Sequence, residues 1–259
     1  MPKRFFMRFN LQNGVNHFPA TAEVGAALQN ATTTEIQGYL DEFERIQSDR
    51  ACRLQTLFGE QLSVLNGKKV VFFGDSITSD NLGYRATVSR AAELHAVDGS
   101  ISGGTSATIL QFAKDTLTNA KPDLVSLMIG TNDSVGIDSE SFGQVSLDEY
   151  ERNVRAILSW AREVGAKILL FAVTPIHPNQ FNKHFNKQSK FQSNENIERY
   201  NARLQSIARD FGIKLCEHRY FHGDTDLDRW IDRDGIHLSL DGHRQLAQCW
   251  LTHAIQLFE

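Results

Sequence analysis

From residue 67 onward the chain alternates between short apolar runs and longer segments whose apolar positions recur at steps of three and four. The runs lie at 69–73, 95–98, 124–129, 168–173 and 213–216, and they predict strands. The helical patterns lie at 82–93, 105–118, 147–164, 195–210 and 239–258. Strand and helix alternating five times predict an α/β fold: a parallel sheet wrapped by helices, with right-handed crossovers. The run Val70-Val71-Phe72-Phe73, set between Lys69 and Gly74, fits this order. Four consecutive apolar residues suit a strand buried on both faces, as parallel strands are.

Before residue 67 the pattern is different. Asn13-Gly14 signals a turn, Phe18-Pro19 an extended dipeptide, and 21–28 a short helix. Thr32-Thr33-Thr34-Glu35 has capping-box spacing, and Ile36, Leu40, Phe43, Ile46, Leu54, Leu57 and Leu62 follow at mostly helical intervals. This predicts one long amphipathic helix, or two broken near Gly59. Its apolar stripe needs a partner, either the main domain or a second copy of the chain, so a homo-oligomer formed through these helices is one expectation. The chain divides accordingly into an N-terminal helical extension, 1–66, and a main domain, 67–259. Within the latter, 174–194 reads as irregular: it holds Pro175, Pro178, four Asn, three Lys and three Phe. A loop of that length in a compact domain is usually functional, and this one follows the fourth strand.

Composition narrows the partners. With 259 residues, 41% hydrophobic and 22% charged, the chain is long enough for a sizeable core. A net charge of -4 gives no broad attraction to nucleic acid, so no nucleic-acid partner is expected. Cys52, Cys216 and Cys249 are widely spaced and odd in number, which predicts neither a disulfide framework nor a zinc site but buried, inert thiols. Arg8 and Asn10 interrupt the early apolar residues before they amount to a signal-peptide core. No run of 18 apolar residues is present, so the expectation is a cytoplasmic protein without stable membrane insertion.

Candidate chemistry collects where strands end. The first strand stops at Gly74-Asp75-Ser76, which would deliver a hydroxyl to the carboxyl edge of the sheet, where ligands bind in open α/β sheets. After the second strand, Gly99-Ser100-Ile101-Ser102-Gly103-Gly104-Thr105 lets a backbone N–H approach a ligand. After the third, Gly130-Thr131-Asn132-Asp133-Ser134 places a carboxamide donor at the same edge. Between the fifth strand and the last helix, Asp234-Gly235-Ile236-His237 sets a carboxylate three residues before an imidazole, able to bind Nδ1–H and leave Nε2 for a serine hydroxyl. Asp232 is five residues from His237, and His243 falls in the first turn of the last helix, where a structural role is expected. Each segment alone is common turn or cap composition; together they supply the nucleophile, base, orienter and oxyanion donors of acyl transfer.

In order and context these segments resemble the GDSL family of hydrolases, also called SGNH hydrolases. The resemblance spans 67–259 and leaves 1–66 without a counterpart. It implies a flavodoxin-like three-layer α/β/α sandwich around a five-stranded parallel sheet. It also implies Ser76 as nucleophile and backbone donor, Gly103 as the oxyanion glycine with adjacent Gly104 leaving a one-residue ambiguity, Asn132 as side-chain donor, and Asp234 with His237 as orienter and base. No cofactor or metal is implied, and the partner would be a small-molecule ester. Other chemistries lack their motifs: the serine segment is Gly-x-Ser-x-Thr rather than Gly-x-Ser-x-Gly, and there is no P-loop, dinucleotide fingerprint or His-Glu-x-x-His. His177, His184, His218 and His222 have no metal-ligand spacing. The polar 174–194 segment favours a short acyl group, such as an O-acetyl on a carbohydrate or other small alcohol. Phe181, Phe185 and Phe191 would instead suit a lipase, lysophospholipase or thioesterase of longer chains. The same acyl-enzyme would serve an acyltransferase, and a non-catalytic binding protein on this fold is the remaining alternative.

Overall fold

The computed structural model describes residues 4, 7–9, 12–13, 16–17, 21–137, 143–185, 190–217 and 227–259. A small antiparallel pair, β1 (Gln12–Asn13) and β2 (Asn16–His17), precedes two helices, α1 (Ala22–Gln29) and α2 (Thr33–Phe58). There follow β3 (Lys69–Gly74), α3 (Ser76–Ser79), α4 (Tyr84–Ala91), β4 (His95–Ser100), α5 (Ser106–Ala120), β5 (Leu124–Met128), β6 (Gly136–Ile137) and α6 (Leu147–Glu163). The chain continues through β7 (Lys167–Phe171), α7 (Pro178–Phe185), β8 (Lys190–Phe191), α8 (Asn194–Asp210), β9 (Leu215–Cys216), α9 (Leu227–Trp230) and α10 (Leu240–Phe258).

Five strands form one parallel sheet in the order β4-β3-β5-β7-β9, a flavodoxin-like order in keeping with the fold that the family resemblance implies. The consecutive apolar residues of β3 divide between its faces. Val70 and Phe72 pack with α4, α10 and the end of α2, where Phe72 stacks on Trp250 with ring centroids 5.5 Å apart. Val71 and Phe73 pack with α5, α6 and α8. A strand buried on both sides needs no polar alternation, and the three layers follow from that. The last strand is shorter than the predicted 213–216, pairing β7 only at Leu215 and Cys216.

α2 is one 26-residue helix, capped by the Thr32 hydroxyl accepting from Glu35 N–H at 3.1 Å. It ends at Gly59, whose φ of 56° lies in the region that favours glycine, and a 3-10 turn over Gly59–Leu65 leads to the sheet. The apolar stripe of α2 divides between two clusters of the chain itself. Ile36 and Phe43 join Met7, Ala22 and Leu82, whereas Ala51 and Leu54 share the large cluster beneath the sheet.

Two expectations are corrected. The 174–194 segment is not irregular throughout, because it contains α7 and β8, and β8 pairs antiparallel with β6. Pro178 opens α7, a position where the missing N–H costs nothing, so what reads as punctuation is a helix start. Cys52 is exposed on α2; only Cys216 and Cys249 are buried, and burial pushes the Cys249 thiol up to about 11. Gly14, Phe18, Pro19, His218 and His222 lie outside the described residues.

Candidate active site

The carboxyl edge of the sheet is built from three strand ends in register. Gly74 of β3 lies opposite Ser100 of β4 and Met128 of β5. A Cβ on Gly74 would come within 2.2 Å of Thr78 Oγ1 and 2.7 Å of the Met128 carbonyl oxygen. The strand can therefore turn straight into α3 only with glycine at this point. Asp75 caps that helix, its Oδ1 accepting the Ile77 N–H at 2.9 Å, and burial raises its carboxyl above the usual range. Ser76 is the first helical residue.

His237 faces it. Nε2 lies 2.8 Å from Ser76 Oγ, and Nδ1 lies 2.6 Å from Asp234 Oδ2. Asp234 Oδ1 accepts the Ile236 and His237 N–H groups, each at 3.0 Å. Burial alone would raise this carboxyl, but the His237 hydrogen bond and the two amides bring it down to about 2. An ionised carboxylate on Nδ1–H leaves the Nε2 lone pair directed at the serine hydroxyl. The loop is held from both sides: Asp232 N–H donates to the His237 carbonyl at 2.7 Å, and His177 N–H to the Gly235 carbonyl at 2.8 Å. Gly235 has φ 82°, and a Cβ there would meet Phe181 N at 2.2 Å, so α7 packs directly under the loop.

The other two segments are tied together. Asn132 Nδ2 donates to the Gly104 carbonyl at 2.9 Å, which orients the amide and leaves its second N–H for another acceptor. Gly104 N–H is engaged with the Ile101 carbonyl at 2.9 Å, and a Cβ on Gly104 would crowd that same oxygen. Gly103, at φ 74°, has open space where its Cβ would be. Between the two glycines, Gly103 is the one whose N–H has no partner among the described residues. Asp133 was not singled out by sequence reasoning, yet it fixes this corner. Both its oxygens accept the Ser106 N–H, at 2.9 and 3.0 Å, which joins the Asn132 turn to the start of α5. Burial pushes its carboxyl up to about 6.

His243, expected to be structural, is fully buried in the first turn of α10. Nδ1 accepts the Tyr84 N–H at 3.3 Å and Nε2 lies 3.0 Å from Asp80 Oδ2, so this imidazole is neutral and donates to Asp80. His177 lies 3.3 Å from Asp228, and His184 beside Phe185. Among the described residues, no group of three or more His, Cys, Asp or Glu side chains could share a metal ion, and no helix is long and apolar enough to cross a membrane.

Comparison with known proteins bears on the family and the fold. The GDSL-like lipase/acylhydrolase family model matches residues 72–245. Comparison with curated protein sequences finds no match. Among solved structures, the lipase/acylhydrolase from Enterococcus faecalis superposes with a TM-score of 0.61 at 18% identity, covering 73% of this chain and 96% of that one. The acetyl xylan esterase AlAXEase gives 0.57 at 24% identity, covering 71% and 98%. A catalytic mutant of an acetylxylan esterase from Geobacillus stearothermophilus gives 0.56 at 22%, covering 73% and 95%. At these identities the superpositions speak for the fold, while the family match takes in the segments from β3 through the His237 loop and into α10. The chain therefore belongs to the GDSL-like lipase/acylhydrolase family and is a hydrolase of ester bonds.

Proposed function

We propose that the protein removes a short acyl group, such as an O-acetyl group on a carbohydrate or other small alcohol, through an acyl-Ser76 intermediate. The observation that carries the reading is the continuous relay Ser76–His237–Asp234, with contacts of 2.8 and 2.6 Å. His237 Nε2 takes the proton of Ser76 Oγ as the oxygen attacks the ester carbonyl carbon. The tetrahedral oxyanion is met by the Ser76 and Gly103 N–H groups and the second N–H of Asn132. His237 returns the proton to the departing alcohol; water, activated by the same imidazole, then releases the acid. Asp234 keeps the tautomer fixed throughout and stabilises the imidazolium.

The preference for a short acyl group rests on the environment of α7 and β8. Phe181 is buried under the His237 loop and packs against Phe185 in a tilted pair with ring centroids 4.8 Å apart, so those two rings serve packing. Phe191 alone of the three counts among the exposed large apolar side chains. The acetyl xylan esterases named above share this fold, which is compatible with the reading. Turnover of p-nitrophenyl esters from two to twelve acyl carbons tests it: kcat/KM is expected to peak at acetate and fall with length. A peak at eight carbons or more would replace it with the lipase or thioesterase alternative.

A further inference from the structure

Residues 7–9 lie far outside the family-matched span, yet they meet the active site. Arg8 is 5% exposed. Its Nε and Nη2 donate to the Asp80 carboxylate at 3.1 and 2.5 Å, its Nη1 to Asp232 Oδ2 at 2.7 Å, and its Nη2 also to the Leu238 carbonyl at 3.2 Å. Asp80 ends the Ser76 helix, donating its N–H to the Ser76 carbonyl at 3.0 Å. Asp232 and Leu238 flank the loop that carries His237. One guanidinium thus spans the nucleophile's helix and both ends of the base's loop. The backbone is pinned as well, with Asn81 N–H on the Arg8 carbonyl at 2.6 Å and Asn81 Nδ2 on the Met7 carbonyl at 3.2 Å. Beyond Arg8, the Phe9 ring lies 4.4 Å from the His237 ring, centroid to centroid. Before it, Met7 is buried with Ala22, Ile36, Phe43 and Leu82, so α1 and α2 grip the segment from outside.

We propose that residues 7–9 are a strap that completes the active site, with Arg8 a positioning residue that holds Ser76 and His237 at reacting distance and Phe9 seating the imidazole ring. The proposal rests on the acyl-serine reading above. An ion pair kept for stability alone would be satisfied by Asp80, and buried pairs of that kind gain little net because desolvation offsets attraction. The extra arms reach Asp232 and Leu238, where they bear on the geometry of His237. A lysine could not replace them, since the fork geometry of guanidinium is what reaches three acceptors at once.

The test measures kcat and KM on p-nitrophenyl acetate, with thermal melting to establish folding. Arg8→Met is expected to lower kcat by about 30-fold while KM stays within about threefold, the penalty typical of misplaced catalytic groups. Arg8→Lys is expected to recover only a minor part of the loss. In a His237→Ala background, where no imidazole remains to be placed, Arg8→Met is expected to leave the residual rate unchanged. Wild-type kcat in folded Arg8→Met overturns the proposal, as does a full further loss in the His237→Ala background. Should Arg8→Met fail to fold, Asp232→Ala decides, because that side chain is 32% exposed and its truncation removes the acceptor of one arm only. A kcat reduced about fivefold supports the strap, and wild-type kcat overturns it. Ser76→Ala separates the two levels. If it keeps wild-type turnover, the acyl-serine reading falls; if it is inactive while Arg8→Met and Asp232→Ala are normal, only the strap falls.

Discussion

At the scale of single residues, Asn132 and Asp234 do different work and fail differently. Asn132 is anchored by one N–H on the Gly104 carbonyl, and in the proposed mechanism it offers the other to the oxyanion. Removing such a donor typically costs about 3 kcal/mol of transition-state stabilisation. Asn132→Ala is therefore expected to lower kcat about 100-fold with little change in melting temperature, as steady-state kinetics and calorimetry would show. Near-wild-type turnover would take Asn132 out of the mechanism. Asp234 contributes to stability as well, because its folded value near 2 lies below the ordinary 3.8. A depressed carboxyl stabilises the fold above its unfolded value and loses that contribution as pH falls through the folded one. Wild type is thus expected to exceed Asp234→Asn by about 2 kcal/mol in denaturant unfolding at pH 6, the gap closing between about pH 4 and pH 2. A gap independent of pH would contradict the assignment of that carboxylate as ionised and hydrogen-bonded.

At the scale of elements, the site is held from beneath by segments the sequence reads poorly. The run Val70-Val71-Phe72-Phe73 was legible because burial on both faces leaves an uninterrupted apolar signature, and the structure divides its residues between two layers. The 174–194 segment was not legible as structure, since its two prolines and many asparagines look like a loop. Yet Pro178 starts α7, and Gln192 Nε2 donates to the Thr131 carbonyl at 3.0 Å, which ties β8 to the Asn132 turn. Gly235 joins α7 to the His237 loop. Gly235→Ala demands a positive φ and a Cβ 2.2 Å from Phe181 N, so a loss of about 3 kcal/mol in unfolding free energy, together with a large fall in kcat, is expected. A stable, fully active Gly235→Ala enzyme would mean that α7 and the loop can part without consequence.

For the whole molecule, the four strand-end segments were readable because each is local: a few adjacent residues carry its turn, its glycine and its polar group. Their convergence follows from the parallel sheet, which brings every strand's carboxyl end to one edge. What local sequence could not show is pairing at long range. Arg8 and Asp80 are 72 residues apart, and Arg8 and Asp232 are 224 apart, with no spacing signal to join them. The same holds for His243, whose place in the last helix was readable but whose contact with Asp80 was not. The N-terminal helices, which the family resemblance left unaccounted for, bury Met7 and so carry the strap to the site.

The central claim is that Ser76 is the nucleophile, and covalent labelling addresses it most directly. After reaction with a fluorophosphonate, intact-mass and peptide analysis of the wild-type chain is expected to show one adduct, on Ser76, with none on Ser76→Ala and strongly slowed labelling of His237→Ala. Persistent labelling of Ser76→Ala, or an adduct on another serine in the wild type, would contradict the account.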